Sequence, residues 1–338
     1  MNQESKPPKN PILRVIDLVK HFPLGGGLFQ RHKSVVRAVD GVSFDLYRGE
    51  TLGIVGESGC GKSTVARTLL LLEEADGGIA EFDGQDLLSL KGLRLKEVRR
   101  RIQVVFQDPY AALNPRMTIN QILTEPFLIH RGLLPKEHWP SRVGELLKQV
   151  GLRPEYASRY PHEFSGGQLQ RIGIARALAL KPDVLILDEP VSALDVSVQA
   201  QVVNLLEELK RKLAVAYIFI AHDLSIVHHI SDRVAVMYLG KIAEIGNTDD
   251  IYDRPAHPYT RALLSAEPKI TLNRSKKRRI LLKGEVPSPV NPPSGCRFRS
   301  RCWKAESLCK TSLPALSPFH KDHMVSCHFP ITESFTEQ

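Results

Sequence analysis

The sequence predicts an α/β fold in which short buried strands alternate with amphipathic helices, and three stretches predict it. The apolar run Thr51 to Val55 leads into a glycine-rich loop, GESGCGKST from Gly56 to Thr64, and the helix-like VARTLLLL follows. Val184 to Leu187 is a second short apolar strand of the kind buried in parallel sheets, and it ends on Asp188-Glu189-Pro190. Tyr217 to Ile220 is a third, followed by His222-Asp223. Polar residues at the C-terminal ends of such strands stand where open α/β sheets bind ligands.

The loop fits G-x-x-x-x-G-K-S/T at Gly56, Gly61, Lys62 and Ser63. Glycines let successive backbone N–H groups turn inward as an anion nest, and the helix start behind them adds its positive dipole end. In a phosphate-binding loop Lys62 reaches the β and γ phosphates of a nucleotide, and the Ser63 hydroxyl ligates Mg²⁺.

Composition narrows the class. A chain of 338 residues suffices for one large or two ordinary domains with a well-buried core. With 42% hydrophobic and 25% charged residues it reads as soluble and globular. The longest apolar run, Ala214 to Ala221, is strand-sized and far short of the ~18 residues that span a bilayer. A role at a membrane therefore requires other chains to cross it. The opening MNQESKPPKNP is polar and proline-rich, unlike a secretory signal, and predicts a cytosolic chain. The net charge of +9 suits an anionic partner: a nucleotide, nucleic acid or a lipid surface.

Taken in order, residues 1 to 11 read as a loose tail. Ile12 to Leu18 and Val35 to Leu46 alternate as strands of an antiparallel edge sheet, separated by the insert LGGGLFQRHK. An aromatic ring upstream of a phosphate loop commonly stacks on adenine; Phe22 is the first choice and Phe29 the second. Gly77 and Gly78 are expected to stop the loop helix, and Ile79 to Phe82 enters a hairpin turn at Asp83-Gly84. Ile102 to Phe106 is a strand ending on Gln107. From Thr118 the period becomes helical, with Val143, Leu146, Leu147 and Val150 on one face, so a helical subdomain is placed at about 110 to 175.

Ser165-Gly166-Gly167-Gln168 opens another helix, with Leu169, Ile172, Ala175 and Ala179 at helical spacing and Pro182 beyond its end; this is a second helix start suited to an anion. Ser197 to Leu213 is an amphipathic helix. Val234 to Leu239 and Ile242 to Ile245 flank Gly240-Lys241 as a hairpin. Beyond about residue 255 prolines become frequent and periodicity fades. This C-terminal extension holds a basic run, RSKKRRILLK from Arg274 to Lys283, read as a solvated charge run with anionic lipid headgroups as its alternative partner.

GESGCGKST, then Gln107 after a strand, FSGGQLQR, VLILDEP, Ser192-Ala193-Leu194-Asp195 and His222 follow one another in an order that resembles the nucleotide-binding subunit of an ABC transporter, over roughly residues 12 to 254. The signature begins with Phe164 where the family has Leu. HPYTRALLSAEP and GEVPSPVNPPSGCRFRSRC resemble the C-terminal domain of the bacterial dipeptide, oligopeptide and nickel uptake ATPases, over 255 to 338.

The resemblance implies a RecA-like core with an antiparallel β edge and a helical subdomain, binding ATP and Mg²⁺. Gly56, Glu57, Ser58, Gly59, Cys60, Gly61, Lys62, Ser63 and Thr64 hold the phosphates; Ser63, Asp188 and Gln107 serve the metal. Glu189 acts as general base, Gln107 touches metal and attacking water, and His222 contacts the γ-phosphate. Ser165, Gly166, Gly167 and Gln168 close over the ATP of a second cassette, expected to be a different chain, with Ser192 to Asp195 at the seam. Two polytopic permease subunits and, through them, an extracytoplasmic substrate-binding protein complete the expected assembly. It would work at the cytoplasmic face of the bacterial inner membrane. A soluble ABC ATPase acting on nucleic acid or the ribosome is the alternative, against which stand the single cassette and the transporter-type extension.

Five cysteines are unevenly placed: Cys60 in the loop, and Cys296, Cys302, Cys309 and Cys327 spaced C-x5-C-x6-C-x17-C. In a reducing compartment a group of four argues for metal over disulfides, although this spacing names neither zinc nor iron. Zinc, with His323 or His328, and free thiols both remain open on the residues alone; the resemblance implies a 4Fe-4S cluster. Cys60 reads as a passive loop residue.

Overall fold

The structure is a computed structural model that describes residues 10–25, 34–267 and 280–333; Phe29, most of the tail and Arg274 to Arg279 of the basic run lie outside these residues. The described residues fall into two compact units, one formed mainly by Leu46–Glu50 and Ser89–Ile220, the other by Ile12–Asp45, Thr51–Leu88 and the chain after Ala221.

In the first unit three strands pair in parallel: Ile102–Val105, Val184–Asp188 and Ala216–Ile220, in the register Ile102 to Val184 to Ala216. The last two are buried along almost their whole length, which is why they read as continuous apolar runs. Helices Ile119–Ile129, Trp139–Gln149 and Gly166–Leu178 occupy the stretch expected to be helical. Their starts are set by local chemistry. Thr118 and Gln121 form a reciprocal capping box ahead of the first, and Asp195 accepts the Val198 N–H (3.0 Å) ahead of the long helix Val196–Leu213. Phe164 is buried and meets Tyr156 edge-to-face at 5.4 Å, so the larger side chain is taken up by packing.

The second unit carries an antiparallel sheet in which Leu13–Leu24 lies between Ser34–Leu46 and Gly77–Phe82, with Gln85–Asp86 outermost. The hairpin turn at Asp83-Gly84 is present, both residues having positive φ. The loop helix, however, spans Lys62–Leu69 and stops well before Gly77 and Gly78. Those glycines open the next strand instead; a Cβ on Gly78 would lie 2.4 Å from the Asp17 carbonyl, so close strand packing is what requires it.

Thr51–Val55 pairs in parallel with Arg233–Tyr238, which turns through Leu239-Gly240, one residue earlier than expected, into Lys241–Asn247. The extension then adds to this sheet: His323–Val325 pairs with Lys241–Asn247, and Ser317–His320 with His323–Val325. Strands of three and four residues leave no periodicity to read.

Glu244, fully buried on this sheet, accepts the backbone N–H groups of Ala256 (2.6 Å) and His257 (3.0 Å), and its Oε1 lies 2.7 Å from His323 Nε2. His257 begins helix Pro258–Ser265 by accepting the Tyr259 N–H on Nδ1 (3.0 Å). Burial pushes its pKa down to about 4, the Glu244 carboxylate opposing only part of that shift. The unfolded chain takes up a proton at the ordinary value of 6.5, the folded chain only near 4. This contribution to stability is therefore complete above pH 6.5 and lost as pH falls toward 4, by roughly 3 kcal/mol in all. Urea melts of the wild-type chain and His257→Gln between pH 7 and 4.5 check it: the slope attributable to this group is expected in the first and not in the second.

Candidate active site

The phosphate loop is shaped by its neighbours as much as by its own glycines. A Cβ on Gly56 would lie 2.2 Å from the Met237 carbonyl, and one on Gly61 (φ +108°) 2.0 Å from that of Ala38. Either side chain would lift the loop off the strands beneath it. Ser58 and Gly59 are exposed at the tip, whereas Cys60 is buried with its thiol pushed up by desolvation, and its carbonyl accepts the Gly240 N–H (2.8 Å). Cys60 thus faces the interior.

Lys62 opens the loop helix and folds back, Nζ donating to the carbonyls of Gly56 (2.8 Å) and Glu57 (3.3 Å). Ser63 and Thr64 are half-buried in the first turn. Two residues of the extension, absent from the sequence-based site, hold Glu57. The Tyr259 hydroxyl accepts its N–H (2.9 Å), and Arg301 grips its carboxylate at 2.7 and 3.0 Å. Phe22 is half-buried near the end of Leu13–Leu24, with the Lys20 ammonium 5.1 Å from its ring centre.

The carboxylates belong to the first unit. Asp188 closes its strand, and Glu189 takes a left-handed conformation (φ +50°) that turns successive side chains in different directions. Such a φ is costly for Glu, on the order of 1 kcal/mol, and is held by the Glu189 N–H on the Ile220 carbonyl (2.9 Å) and the Ser192 hydroxyl on the Glu189 carbonyl (3.1 Å). Gln107 Nε2 donates to Glu189 Oε2 at 2.9 Å, so two residues picked separately from the sequence meet. His222 stands exposed beyond Ala216–Ile220, while Asp223 caps the next helix through the Ser225 N–H (2.9 Å).

At the start of helix Gly166–Leu178, Ser165 and Gln168 bond each other's backbone N–H groups, Ser165 N–H to Gln168 Oε1 at 3.1 Å. The Gln168 side chain is therefore engaged in its own helix start. Gly167 is needed for packing as well: a Cβ there would fall 2.3 Å from Val198 Cγ1. Ser165 is exposed, as is Asp195, whose carboxyl is held low by bonds from the Ser197 hydroxyl and the Val198 N–H.

Cys296, Cys302, Cys309 and Cys327 line one small pocket with His257 and His328, and none forms a disulfide. Burial, with the neighbouring sulfurs adding to it, pushes Cys302 up to about 11 and Cys327 up to about 12. The donor set suits a tetrathiolate site, yet among the described residues no three His, Cys, Asp or Glu side chains stand in a metal-ligating arrangement. His323, whose Nε2 lies 2.7 Å from Glu244 Oε1, does not line this pocket; His328 does, and its Nε2 donates to the Ser312 carbonyl (2.9 Å).

Comparison with known proteins identifies the family and the fold. The family profile "ABC transporter" matches residues 39–192, and that of the "Oligopeptide/dipeptide transporter, C-terminal region" matches 243–309. Oligopeptide transport ATP-binding protein AppF of Bacillus subtilis is 56% identical over 94% of this chain and 97% of its own. Dipeptide transport ATP-binding protein DppF of Haemophilus influenzae is 51% identical over 94% and 96%. Among solved structures, a dimeric ATP-binding cassette bound to ADP and Pi superposes with a TM-score of 0.62 at 27% identity, covering 70% of this chain and 98% of that one. The cbiO1 subunit from Clostridium perfringens, part of the transporter complex cbiONQ, gives 0.62 at 28% identity, covering 72% and 91%. The chain belongs to the ATP-binding subunits of the oligopeptide and dipeptide ABC transporters.

Proposed function

We propose that this chain hydrolyses ATP as one of two cassettes that power uptake of di- or oligopeptides through a membrane transporter. The observation that carries the hydrolytic part is the Gln107–Glu189 bond at a strand end: a carboxylate oriented by an amide is the arrangement that orders and deprotonates water. Lys62 leaves its carbonyl partners to reach the β and γ phosphates, the loop N–H groups hold them, and His222 meets the γ-phosphate. Phe22 stacks on adenine. Ser63, Asp188 and Gln107 would hold Mg²⁺, which neutralises charge developing on the phosphates. Ser165, Gly166 and Gly167 complete the site of a second cassette, a different chain.

A groove of about 190 Å³ in the first unit supports contact with membrane subunits. It is lined by Val105, Phe106, Pro126, Ile129 and Gln170. Phe106 and Ile129 are exposed, and the buried Gln170 amide nitrogen has no partner among the described residues. An apolar helix or loop offering an acceptor to Gln170 suits it. No helix among the described residues is long and apolar enough to cross a membrane, so the chain would attach peripherally, at the cytoplasmic face, to two permease subunits served by an extracytoplasmic binding protein.

Affinity purification of tagged Glu189→Gln from detergent-solubilised native membranes tests the assembly. Two polytopic proteins and a second cassette are expected; recovery of ribosomes or DNA-repair proteins without them overturns it. For the thiol pocket the proposed occupant is a 4Fe-4S cluster held by Cys296, Cys302, Cys309 and Cys327; what supports it is that all four thiols line the same pocket. Anaerobically purified protein should contain about four iron and four sulfide per chain; zinc or no metal would refute it.

A further inference from the structure

The phosphate loop is gripped from the C-terminal extension at its second residue. Arg301 ends a turn in which its N–H donates to the Phe298 carbonyl (3.0 Å), and its side chain is only 8% exposed. Nη1 lies 2.7 Å from Glu57 Oε2 and Nη2 3.0 Å from Oε1, a two-pronged pair. The rings of Tyr238, Tyr259 and Phe298 pack on one another at 4.7 to 5.4 Å, and the guanidinium sits 5.9 Å from the Tyr238 ring centre. From that cluster the Tyr259 hydroxyl takes the Glu57 N–H, while the Glu57 carbonyl is one of the two on which Lys62 rests. Glu57 is thus fixed at its carboxylate, its N–H and its carbonyl.

We propose that Arg301 is a positioning residue for nucleotide binding, acting through Glu57 in two ways. It holds the loop in its anion-receptive form before the phosphates arrive, which lowers the ordering cost of binding. It also neutralises a carboxylate that, left unpaired beside the anion nest, would repel them. If the unclamped loop spends only about a tenth of its time in the receptive form, the apparent Kd for ATP rises about tenfold. The hydrolytic step depends on Glu189, so KM rises with little change in kcat.

The test uses the full-length chain for ATP affinity, read with a fluorescent ATP analogue and with ATP as competitor, and the assembled transporter for KM and kcat. Arg301→Met should weaken binding about tenfold and Arg301→Lys less, since an ammonium keeps the charge without the fork. Glu57→Gln/Arg301→Met should bind more tightly than Arg301→Met alone, because the second change removes the charge that the first left unpaired. A purely structural role for Arg301 gives no such rescue. Wild-type affinity in Arg301→Met, or a double variant as weak as Arg301→Met, overturns the proposal. Should Arg301→Met fail to fold, Arg301→Lys against Glu57→Gln/Arg301→Lys gives the same comparison. Binding by the wild type and its loss in Lys62→Ala test the nucleotide site separately.

Discussion

Glu189→Gln in the assembled transporter is expected to lower kcat for ATP by about 10²–10⁴-fold, the range for removing a general base, with ATP still bound. Glutamine has nearly the shape of glutamate and keeps an oxygen that can accept the Gln107 amide, which donates at 2.9 Å in the wild type. What it lacks is the capacity to take a proton from water. The backbone at position 189, held left-handed by the Ile220 carbonyl and Ser192, asks nothing of the side-chain charge, so the fold should survive. Single-turnover hydrolysis with equilibrium ATP binding separates the outcomes. Loss of turnover with retained binding supports the role; turnover within about threefold of wild type would move the base to another group. Gln107→Ala should fall between, since it removes the orienting amide and leaves the carboxylate.

The parts of this site that were legible in the sequence are those encoded by neighbours in the chain. The phosphate loop, the strand ending on Asp188-Glu189 and the capped start at Ser165 each declare themselves within a dozen residues, because turn chemistry and helix capping are local. Gln107 and Glu189 were each placed at a strand end, and parallel pairing of their strands brings them together. Gly77 and Gly78 misled because glycine stops helices and also admits close strand approach; the Asp17 carbonyl that decides between these is remote in sequence. Arg301 was invisible for the same reason. Nothing around RSRC says that its arginine reaches Glu57, since that depends on how strands of three and four residues dock the extension. The four cysteines gave a donor set but not an arrangement, and the histidine at 323 turned out to serve a buried carboxylate.

That carboxylate carries the largest expected effect on stability. Glu244 sits on Lys241–Asn247 at the point where His323–Val325 pairs with it, paired in register with Val325. It is fully buried and satisfies three donors from two parts of the extension: His323, and the N–H groups of Ala256 and His257. Glu244→Ala leaves all three without an acceptor and opens a cavity; each buried donor left unsatisfied costs about 1–3 kcal/mol, so a total of several kcal/mol is expected. Glu244→Gln keeps one accepting oxygen but turns an N–H toward groups that themselves donate, at a cost of about 1–3 kcal/mol. Chemical denaturation should rank wild type above Gln above Ala, with limited proteolysis cutting first beyond residue 255. The loss should also reach the phosphate loop, because the segment freed is the one that carries Arg301: ATP affinity should fall in Glu244→Ala under conditions where the chain is still folded. Equal stability in all three chains would mean that Glu244 is replaceable by packing alone. A destabilised extension with unchanged ATP affinity would mean that the Arg301 grip survives without the strand pairing that flanks Glu244.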